Sequence, residues 1–343
     1  MGLIENIWYG NGVGAATARA ALWPLARAYQ SAAVARRRLY DAGVWRAERP
    51  VLPTVSVGNL TVGGTGKTPF AAWVAFRLSQ VAVPAIVLRG YGGDESEVHR
   101  RLNPHIPVVA MADRGAGIRE AKARDADVAV LDDAFQHRRV GRTADIVLLS
   151  AEQLMRPRRV LPAGPWREPL SAARSADLLV ITRKSASAED ARRAVEMARK
   201  AAPGVPVAVV HMAPGALVDA LDGTLLPLAR LANASVVALA GIGEPEVFAA
   251  QLRALGARVS LVAFRDHHAY VDAEIRELAA RVPADGLAVC TLKDAVKLAG
   301  RWPRPGRLWY VSQQLVVERG AEEIDRLLKR VLDARATTTT TAG

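Results

Sequence analysis

The chain has 343 residues, one cysteine (Cys290) and a formal net charge of +12, and half of its residues are hydrophobic. This length allows two domains of ordinary size, and the hydrophobic content predicts a packed core instead of intrinsic disorder. A single cysteine excludes an intramolecular disulfide and favours a reducing compartment. The positive charge indicates an anionic partner such as nucleic acid, anionic lipid or a phosphorylated substrate, although part of it fits an arginine-rich solvated surface.

The first region of the chain predicts a basic amphipathic helix over residues 15–40. Trp23, Leu25 and Tyr29 supply apolar bulk, and several arginines supply charge. The longest uncharged run is shorter than the roughly 20 apolar residues that cross a bilayer. Such a helix is typical of proteins that lie among lipid headgroups. The alternative is a helix that packs on the adjoining domain and turns its arginines to water.

Apolar runs of strand length then alternate with helical patterns, which is typical of a parallel sheet covered by helices. The predicted strands are 54–57, 85–88, 108–110, 128–131 and 146–149 in a first series, and 178–181, 207–210, 236–240, 259–263, 287–291 and 308–311 in a second. The predicted helices are 70–80, 117–125, 188–201, 245–255 and 272–281. A segment rich in proline and arginine, 151–169, separates the two series.

This order of elements predicts an α/β protein of two domains. We expect the basic helix region at 1–50, a first parallel-sheet domain at 51–155, a smaller α/β domain at 156–335 and a disordered tail at 336–343. The tail is predicted from its composition alone, ATTTTTAG.

The sequence VGNLTVGGTGKTPF, at 57–70, joins the first predicted strand to the first helix of the sheet domain. Strand, glycine-rich loop and helix in this order form the cradle of a nucleoside triphosphate. The predicted phosphate-binding residues are Gly63, Gly64, Thr65, Gly66, Lys67 and Thr68. The Lys67 ammonium reaches the β- and γ-phosphates in such loops, and the Thr68 hydroxyl binds Mg²⁺. Thr61 stands where the standard pattern has a glycine, and the alternative is a glycine turn followed by a chance Lys–Thr pair.

A pair of carboxylates, Asp132 and Asp133, ends the apolar run of VAVLDDAFQHRR. Carboxylates at the end of a buried strand hold Mg²⁺ in phosphate-loop enzymes. The alternative role is to cap a helix. Gln136 and His137 follow at the same edge of the predicted sheet.

Two further strand ends carry polar residues. In VLRGYGGDESEV, Asp94 can accept a proton from an attacking hydroxyl group, and Glu95 can support Mg²⁺. The alternative is an acidic surface turn, which would have the same sequence pattern. Arg114, in VVAMADRGAG, can neutralise charge on a transferring phosphoryl group.

The second half of the chain contains FRDHH, 264–268, and TLKDAVKL, 291–298. His267 and His268 are spaced too tightly to face one metal ion, so the functional interpretation is a polarised histidine at an active site. The alternative is a solvated pair of loop histidines. TLKDAVKL places Lys293, Asp294 and Lys297 after a predicted strand. AGIGEPEVF, 240–248, is a glycine turn before a helix.

Taken together, these motifs resemble those of the tetraacyldisaccharide 4′-kinases, the lipid A kinases of Gram-negative bacteria. The matching stretches, which occur in family order, are VGNLTVGGTGKTP, RGYGG, GDE, ADR, LDDAFQHRR, LPAGPWREPL, AGIGEPEVF, the DH of FRDHH, and TLKDAVKL. The resemblance implies transfer of the ATP γ-phosphate to the 4′-hydroxyl of tetraacyldisaccharide 1-phosphate. It also implies a monotopic protein at the cytoplasmic face of the inner membrane, with two α/β domains and the site in the cleft between them.

The resemblance further implies a role for each site residue. Lys67 and Thr68 would bind ATP and Mg²⁺, and the residues near the metal would be Glu95, Asp132, Asp133 and Gln136. Asp94 would be the general base, paired with His267, and Arg114 would stabilise the phosphoryl group. The implied partners are the acylated disaccharide 1-phosphate and an anionic membrane surface, with no nucleic acid and no obligate protein partner.

Two departures from the family pattern affect this interpretation. Family members carry a longer spacer between RGYGG and GDE, whereas here Gly93 runs directly into Asp94. The glycine of DDGFQH is replaced by Ala134. A membrane-associated phosphate-loop ATPase that acts as a switch is the main alternative, although its signature lysine near the start of the loop is absent. A DNA-binding protein would instead show steep salt dependence.

Overall fold

The computed structural model of the chain describes residues 3–90 and 93–340, so Tyr91 and Gly92 of the RGYGG motif lie outside it. Within these residues the helices are α1 (Leu3–Tyr9), α2 (Val13–Asp41), α3 (Lys67–Ser79), α4 (Asp94–Leu102), α5 (Arg114–Ala123), α6 (Ala151–Leu154), α7 (Ala188–Ala201), α8 (Pro245–Ala254), α9 (Asp272–Ala280), α10 (Leu292–Leu298) and α11 (Ala321–Thr340). The strands are β1 (Thr54–Asn59), β2 (Pro84–Leu88), β3 (Val108–Ala110), β4 (Val128–Asp132), β5 (Ala144–Ser150), β6 (Leu178–Arg183), β7 (Val207–Asp219), β8 (Leu225–Leu226), β9 (Ser235–Ala240), β10 (Arg258–Ala263), β11 (Leu287–Cys290) and β12 (Leu308–Arg319).

The chain divides into two compact units. The first comprises Met1–Arg89, Ile106–His211 and Val317–Gly343, and the second comprises Gly90–His105 and Met212–Val316. These bounds differ from the predicted division between 155 and 156, because β6 pairs with β5 in the first sheet and α7 packs against β6. The short segment that carries α4 belongs to the second unit, where α4 packs against α10.

The first unit is built on a parallel sheet with the strand order β3-β2-β4-β1-β5-β6-β7. Every residue of β1, β2 and β4 is buried, as expected for parallel strands that are covered on both faces. Because the carboxyl ends of parallel strands meet at one edge, β1 and β4 bring Asn59 and Asp132 to the same edge. The predicted first series of strands is confirmed.

The second unit contains the strand order β10-β9-β11-β12-β7, with the short β8 antiparallel to β7. Its core joins strand residues such as Leu239 to Tyr270, Ile275 and Leu298 from the segments that cover the sheet. All predicted strands of the second series are present, but β7 and β12 continue well past the predicted ends at 210 and 311. Both of these long strands begin in one unit and end in the other.

The described residues begin and end with helices. The predicted basic helix corresponds to α2, in which Trp23, Leu25 and Tyr29 are exposed. No helix in the described part of the chain is long and apolar enough to cross a membrane. At the other end, α11 spans Ala321–Thr340, and the disordered tail at 336–343 stays a prediction. Residues 341–343 lie outside the described residues.

Candidate active site

The glycine-rich segment forms a loop between Asn59, the last residue of β1, and Lys67, the first residue of α3. Gly63 and Gly66 have φ angles of 102° and 85°, values that residues with a Cβ rarely adopt. Lys67 and Thr68 are half-buried in the first turn of α3, where free backbone N–H groups favour a phosphate. The predicted strand, loop and helix are therefore present in the predicted order.

Side chains beneath the loop fix its shape. Asn59 Nδ2 donates to Thr65 Oγ1 over 2.8 Å, and the Thr182 hydroxyl donates to the Thr65 carbonyl oxygen over 2.9 Å. Thr61 is buried and its hydroxyl donates to Gln153 Oε1. The departure from glycine at position 61 thus adds an anchor for the loop, because a glycine would lack the hydroxyl.

Asp133 faces two cations. Arg167 Nη1 lies 2.9 and 3.0 Å from its two carboxylate oxygens, and Lys67 Nζ lies 3.8 Å from Oδ1. Burial alone would raise the pKa of Asp133, but Lys67 and Arg167 outweigh burial and hold this pKa below its ordinary value. Asp133 is therefore a carboxylate that is ready to bind a cation at the loop.

Two more predicted site residues lie in the same unit. Gln136 Nε2 donates to the Asn59 carbonyl oxygen over 2.8 Å, at the end of β1. Arg114 is buried at the start of α5 and donates to the carbonyl oxygens of Met111 and Asp132 over 3.0 and 3.2 Å. The structure thus brings Lys67 to Asp133, and Arg114 to the end of the strand that carries Asp132.

Arg167 and Lys184 contact the loop and its carboxylate, although no sequence pattern predicts them as site residues. Arg167 lies in LPAGPWREPL, one of the stretches that carry the family resemblance, and it is 34 residues from Asp133 in the sequence. Lys184 follows β6, and its Nζ donates to the Gly64 carbonyl oxygen over 2.9 Å. Glu152 accepts backbone N–H groups from residues 184, 185 and 186 over 2.7, 2.9 and 3.0 Å. No sequence spacing predicts these contacts, because they depend on which strands become neighbours.

The donor set of the first unit fits Mg²⁺. Thr68, Asp132, Asp133 and Gln136 offer one hydroxyl, two carboxylates and one amide. Mg²⁺ in phosphoryl-transfer sites takes one or two carboxylates and keeps water and phosphate oxygens as its other ligands. The described residues contain no group of three or more His, Cys, Asp or Glu side chains placed for a metal, and a site of this type needs none. Glu95 belongs to the second unit, and its role as a ligand stays a prediction.

The second unit contains the predicted pair of Asp94 and His267. Asp94 opens α4 after Gly93, which has a φ of 75°. The Asp94 side chain is 2% exposed, and its Oδ2 and Oδ1 lie 3.0 and 3.2 Å from His267 Nδ1. Its Oδ1 also accepts the backbone N–H of Glu95 over 3.1 Å. A carboxylate that is buried and oriented in this way suits a general base.

Two lysines of α10 complete this cluster. Lys297 Nζ lies 3.2 Å from Asp94 Oδ2, and Lys293 Nζ lies 4.0 Å from the same oxygen. Lys293 Nζ also lies 3.1 Å from Asp266 Oδ1 and 3.2 Å from His267 Nε2. The motif TLKDAVKL therefore supplies the positive charges around Asp94.

The structure distinguishes the two histidines of FRDHH. His268 stacks on Phe264 with ring centroids 4.6 Å apart, and its Nε2 lies 3.2 Å from Glu274 Oε2. Asp294 is fully buried and accepts hydrogen bonds from Tyr270 Oη and the Gly241 backbone N–H over 2.9 and 3.1 Å. These contacts give His268 and Asp294 structural roles, whereas His267 is the histidine that contacts Asp94.

A parallel sheet with a glycine loop, a lysine in the following helix, and a buried aspartate in contact with a histidine are features of a phosphate-loop enzyme. The family model described as Tetraacyldisaccharide-1-P 4'-kinase matches residues 18–333 of the sequence. The chain therefore belongs to the tetraacyldisaccharide-1-P 4'-kinase family of ATP-dependent kinases, which confirms the predicted family.

Individual relatives agree with this assignment. The chain is 36% identical to the Tetraacyldisaccharide 4'-kinase of Anaeromyxobacter sp. (strain Fw109-5), with 97% of each protein covered. It is 35% identical to the Tetraacyldisaccharide 4'-kinase of Halorhodospira halophila (strain DSM 244 / SL1), with 91% of this chain and 92% of that protein covered. Among solved structures it is similar to the "apo" form of LpxK from Aquifex aeolicus in complex with ATP. That comparison gives 30% identity and a TM-score of 0.73, and covers 91% of this chain and 99% of that one. The predicted fold class is thereby confirmed.

Proposed function

We propose that this chain transfers the γ-phosphoryl group of ATP to the 4′-hydroxyl of tetraacyldisaccharide 1-phosphate, and so forms lipid IVA in the biosynthesis of lipid A and lipopolysaccharide. The observation that carries the proposal is the buried Asp94 carboxylate, 3.0 Å from His267 Nδ1, in a chain that also has a phosphate loop. A switch ATPase hydrolyses ATP without an acceptor alcohol, so it has no use for a second, separate base. A kinase that phosphorylates an alcohol needs such a base to accept the proton of the hydroxyl group.

In this proposal each residue has a defined task. Lys67 and the backbone N–H groups of the loop bind the phosphates of ATP, and Arg114 stabilises the charge that develops on the transferred group. Asp94, oriented by His267, accepts the proton of the 4′-hydroxyl. The bond between that oxygen and phosphorus forms as the bond to the leaving ADP breaks. Most of the catalysis comes from positioning and electrostatics, since phosphoryl transfer needs little covalent help from the protein.

We further propose that Mg²⁺ is held by Thr68, Asp132, Asp133 and Gln136. When bound, the ion neutralises negative charge on the phosphate oxygens. The Arg167 and Lys67 contacts keep Asp133 ionised in the absence of the ion, so a carboxylate is available to it.

The lipid substrate requires that the enzyme work at a membrane surface, and we propose the cytoplasmic face of the inner membrane. In α2, Trp23 and Leu25 are 60% and 61% exposed, in a helix that also carries several arginines. Exposed tryptophan and leucine beside basic residues favour the headgroup region of an anionic bilayer. One basic residue has another role, since Arg37 Nη1 lies 3.4 Å from the buried Glu168.

Flotation with vesicles tests this surface. The wild type is expected to float with vesicles that contain phosphatidylglycerol and to lose binding at high salt. A Trp23→Ser/Leu25→Ser variant is expected to stay largely in the soluble fraction. A matched control, Val271→Ser, removes an apolar side chain that is 55% exposed in the second unit, and it should float like the wild type. Equal flotation of all three proteins would contradict the role of α2.

The reaction itself is tested by transfer of labelled γ-phosphate from Mg-ATP to detergent-dispersed tetraacyldisaccharide 1-phosphate. The wild type is expected to label the lipid, and Lys67→Ala is expected to label none. Retention of ATP binding and slow hydrolysis by the wild type, without any labelled lipid, would favour the switch ATPase instead.

A further inference from the structure

The two ring nitrogens of His267 have neighbours of opposite charge. Nδ1 lies 3.0 Å from Asp94 Oδ2, and Nε2 lies 3.2 Å from Lys293 Nζ. Lys293 is itself fixed by Asp266, whose Oδ1 lies 3.1 Å from Nζ. The ring is therefore held between a carboxylate on α4 and an ammonium on α10.

The chemistry of these neighbours determines where the ring carries its proton. A lysine ammonium has three donors and no acceptor, so its contact with Nε2 requires a lone pair on that nitrogen. The proton of the neutral ring is then on Nδ1, from which it is donated to Asp94. The opposite tautomer would direct an N–H group at an ammonium and a lone pair at a carboxylate, and it would lose both hydrogen bonds.

The charges of the cluster also favour a neutral ring. Asp94 and Asp266 supply two negative charges, and Lys293 and Lys297 supply two positive ones. Lys297 Nζ lies 3.2 Å from Asp94 Oδ2, so the buried carboxylate already has a cationic partner. A protonated His267 would add a positive charge 3.2 Å from the Lys293 ammonium, and such like-charge contacts disfavour the charged form. Asp266 Oδ2, 3.9 Å from Nε2, opposes this effect from a greater distance.

We infer that Lys293 is a positioning residue that holds His267 as the neutral tautomer protonated at Nδ1, so that His267 orients Asp94 and does not carry the substrate proton. This inference rests on the proposed function, in which Asp94 is the base. It goes further by assigning the state of the histidine and the residue that fixes it. The substrate proton then leaves through Asp94 itself.

Nitrogen NMR of the full-length protein tests the inference without any turnover. Histidine labelled with ¹⁵N in the ring gives different long-range proton–nitrogen patterns for the two tautomers and for the cation, and His267→Gln identifies the His267 signals. At pH 7 we expect a protonated Nδ1 and an unprotonated Nε2. A protonated Nε2, or a cationic ring, would overturn the inference, whatever the variants do.

Variants separate positioning from simple structural support. In Lys293→Met the ring loses the donor at Nε2, so signals of the tautomer protonated at Nε2 are expected to appear beside those of the wild-type form. Lys293→Arg keeps a cationic donor and is expected to keep the wild-type pattern. Lys200→Met, at an exposed lysine of α7, is the control and should change nothing. Unchanged His267 signals in a folded Lys293→Met protein would contradict the inference.

Kinetics provide a second readout. Lys293→Met is expected to lower kcat about tenfold while KM for ATP stays unchanged, and Lys293→Arg is expected to keep most of the wild-type kcat. An equal loss in both variants would count against a positioning role for the cationic donor. If the wild type labels no lipid, the proposed function fails, and the NMR pattern still decides the state of His267. If the wild type is active but His267 is cationic at pH 7, only this inference fails.

Discussion

The substitution Asp294→Ala tests the packing that supports the Asp94 cluster. Asp294 is fully buried in α10, the helix that also carries Lys293 and Lys297. Its carboxylate accepts hydrogen bonds from the Gly241 N–H over 3.1 Å, from Tyr270 Oη over 2.9 Å and from the Thr291 hydroxyl over 2.6 Å. It thereby ties together the motifs AGIGEPEVF, FRDHHAY and TLKDAVKL.

The size of the effect follows from the donors that lose their acceptor. A buried donor left without a partner costs about 1–3 kcal/mol. The Gly241 N–H and the Tyr270 hydroxyl are both enclosed, whereas Thr291 is half-buried and its hydroxyl can turn toward solvent. Two such donors give a loss of about 4 kcal/mol, which is a large part of the total stability of about 5–15 kcal/mol that is usual for a domain. Asp294→Asn keeps one acceptor and should lose about half as much.

Urea unfolding followed by circular dichroism and by tryptophan fluorescence measures the loss. The control is Asp285→Ala, which changes an exposed aspartate in the same unit and for which we expect a change within about 0.5 kcal/mol. The reasoning is wrong if the free energy of unfolding of Asp294→Ala lies within about 1 kcal/mol of the wild-type value, with an unchanged denaturant slope. That difference is roughly the value of one ordinary hydrogen bond, so the hydrogen bonds of Asp294 would then not stabilise the fold as argued.

Three further predictions concern the site and its support. Asp94→Ala is expected to lower kcat by about 100-fold or more while ATP affinity stays at the wild-type value, because Asp94 acts on the acceptor hydroxyl. Calorimetry measures the ATP affinity, and a parallel loss of ATP binding in a folded variant would argue against Asp94 as the general base. Arg167→Met removes two hydrogen bonds from Asp133 and is expected to lower kcat/KM for Mg-ATP about tenfold; wild-type kinetics would show that the contact is dispensable. Glu152 is partly buried, which raises its pKa, but backbone N–H groups at 184–186 outweigh this and hold the pKa below its ordinary value of 4.5. Glu152 therefore contributes stability that is present above pH 4.5 and is lost as the pH falls through its lowered pKa. The stability difference between wild type and Glu152→Gln should shrink over that acid range, and a constant difference in urea midpoints between pH 7 and 3 would contradict this.

The elements that could be predicted from the sequence are those encoded by local patterns. The apolar run at 54–57 corresponds to β1, and the predicted strand 108–110 is β3. Runs of this kind are informative because parallel strands covered on both faces are rich in apolar residues, although β1 also buries Thr54 and Ser56. The glycine loop was equally local, since its conformation depends on glycines at particular positions within a few residues.

Features that depend on distant neighbours could not be predicted in this way. Arg167 meets Asp133 only because the chain returns after β5, and no spacing between them is fixed by a regular element. The separation of His267 from His268 likewise depends on Phe264 and Glu274, which hold His268 away from Asp94. The bounds of the units also depend on distant neighbours, since the segment with α4 lies early in the sequence but belongs to the second unit.

The short spacer between RGYGG and Asp94 is the departure from the family pattern that most affects the prediction of Asp94 as the general base. The contacts of the Asp94 carboxylate show which parts of the chain fix its position. Asp94 is the first residue of α4, and α4 packs against α10. Its carboxylate is held by His267 and Lys297, at 3.0 and 3.2 Å, and by the N–H of Glu95. All of these contacts come from the second unit. The position of the carboxylate is therefore set by α4 and by its packing partners, so a shortened loop before α4 is compatible with a base at this residue.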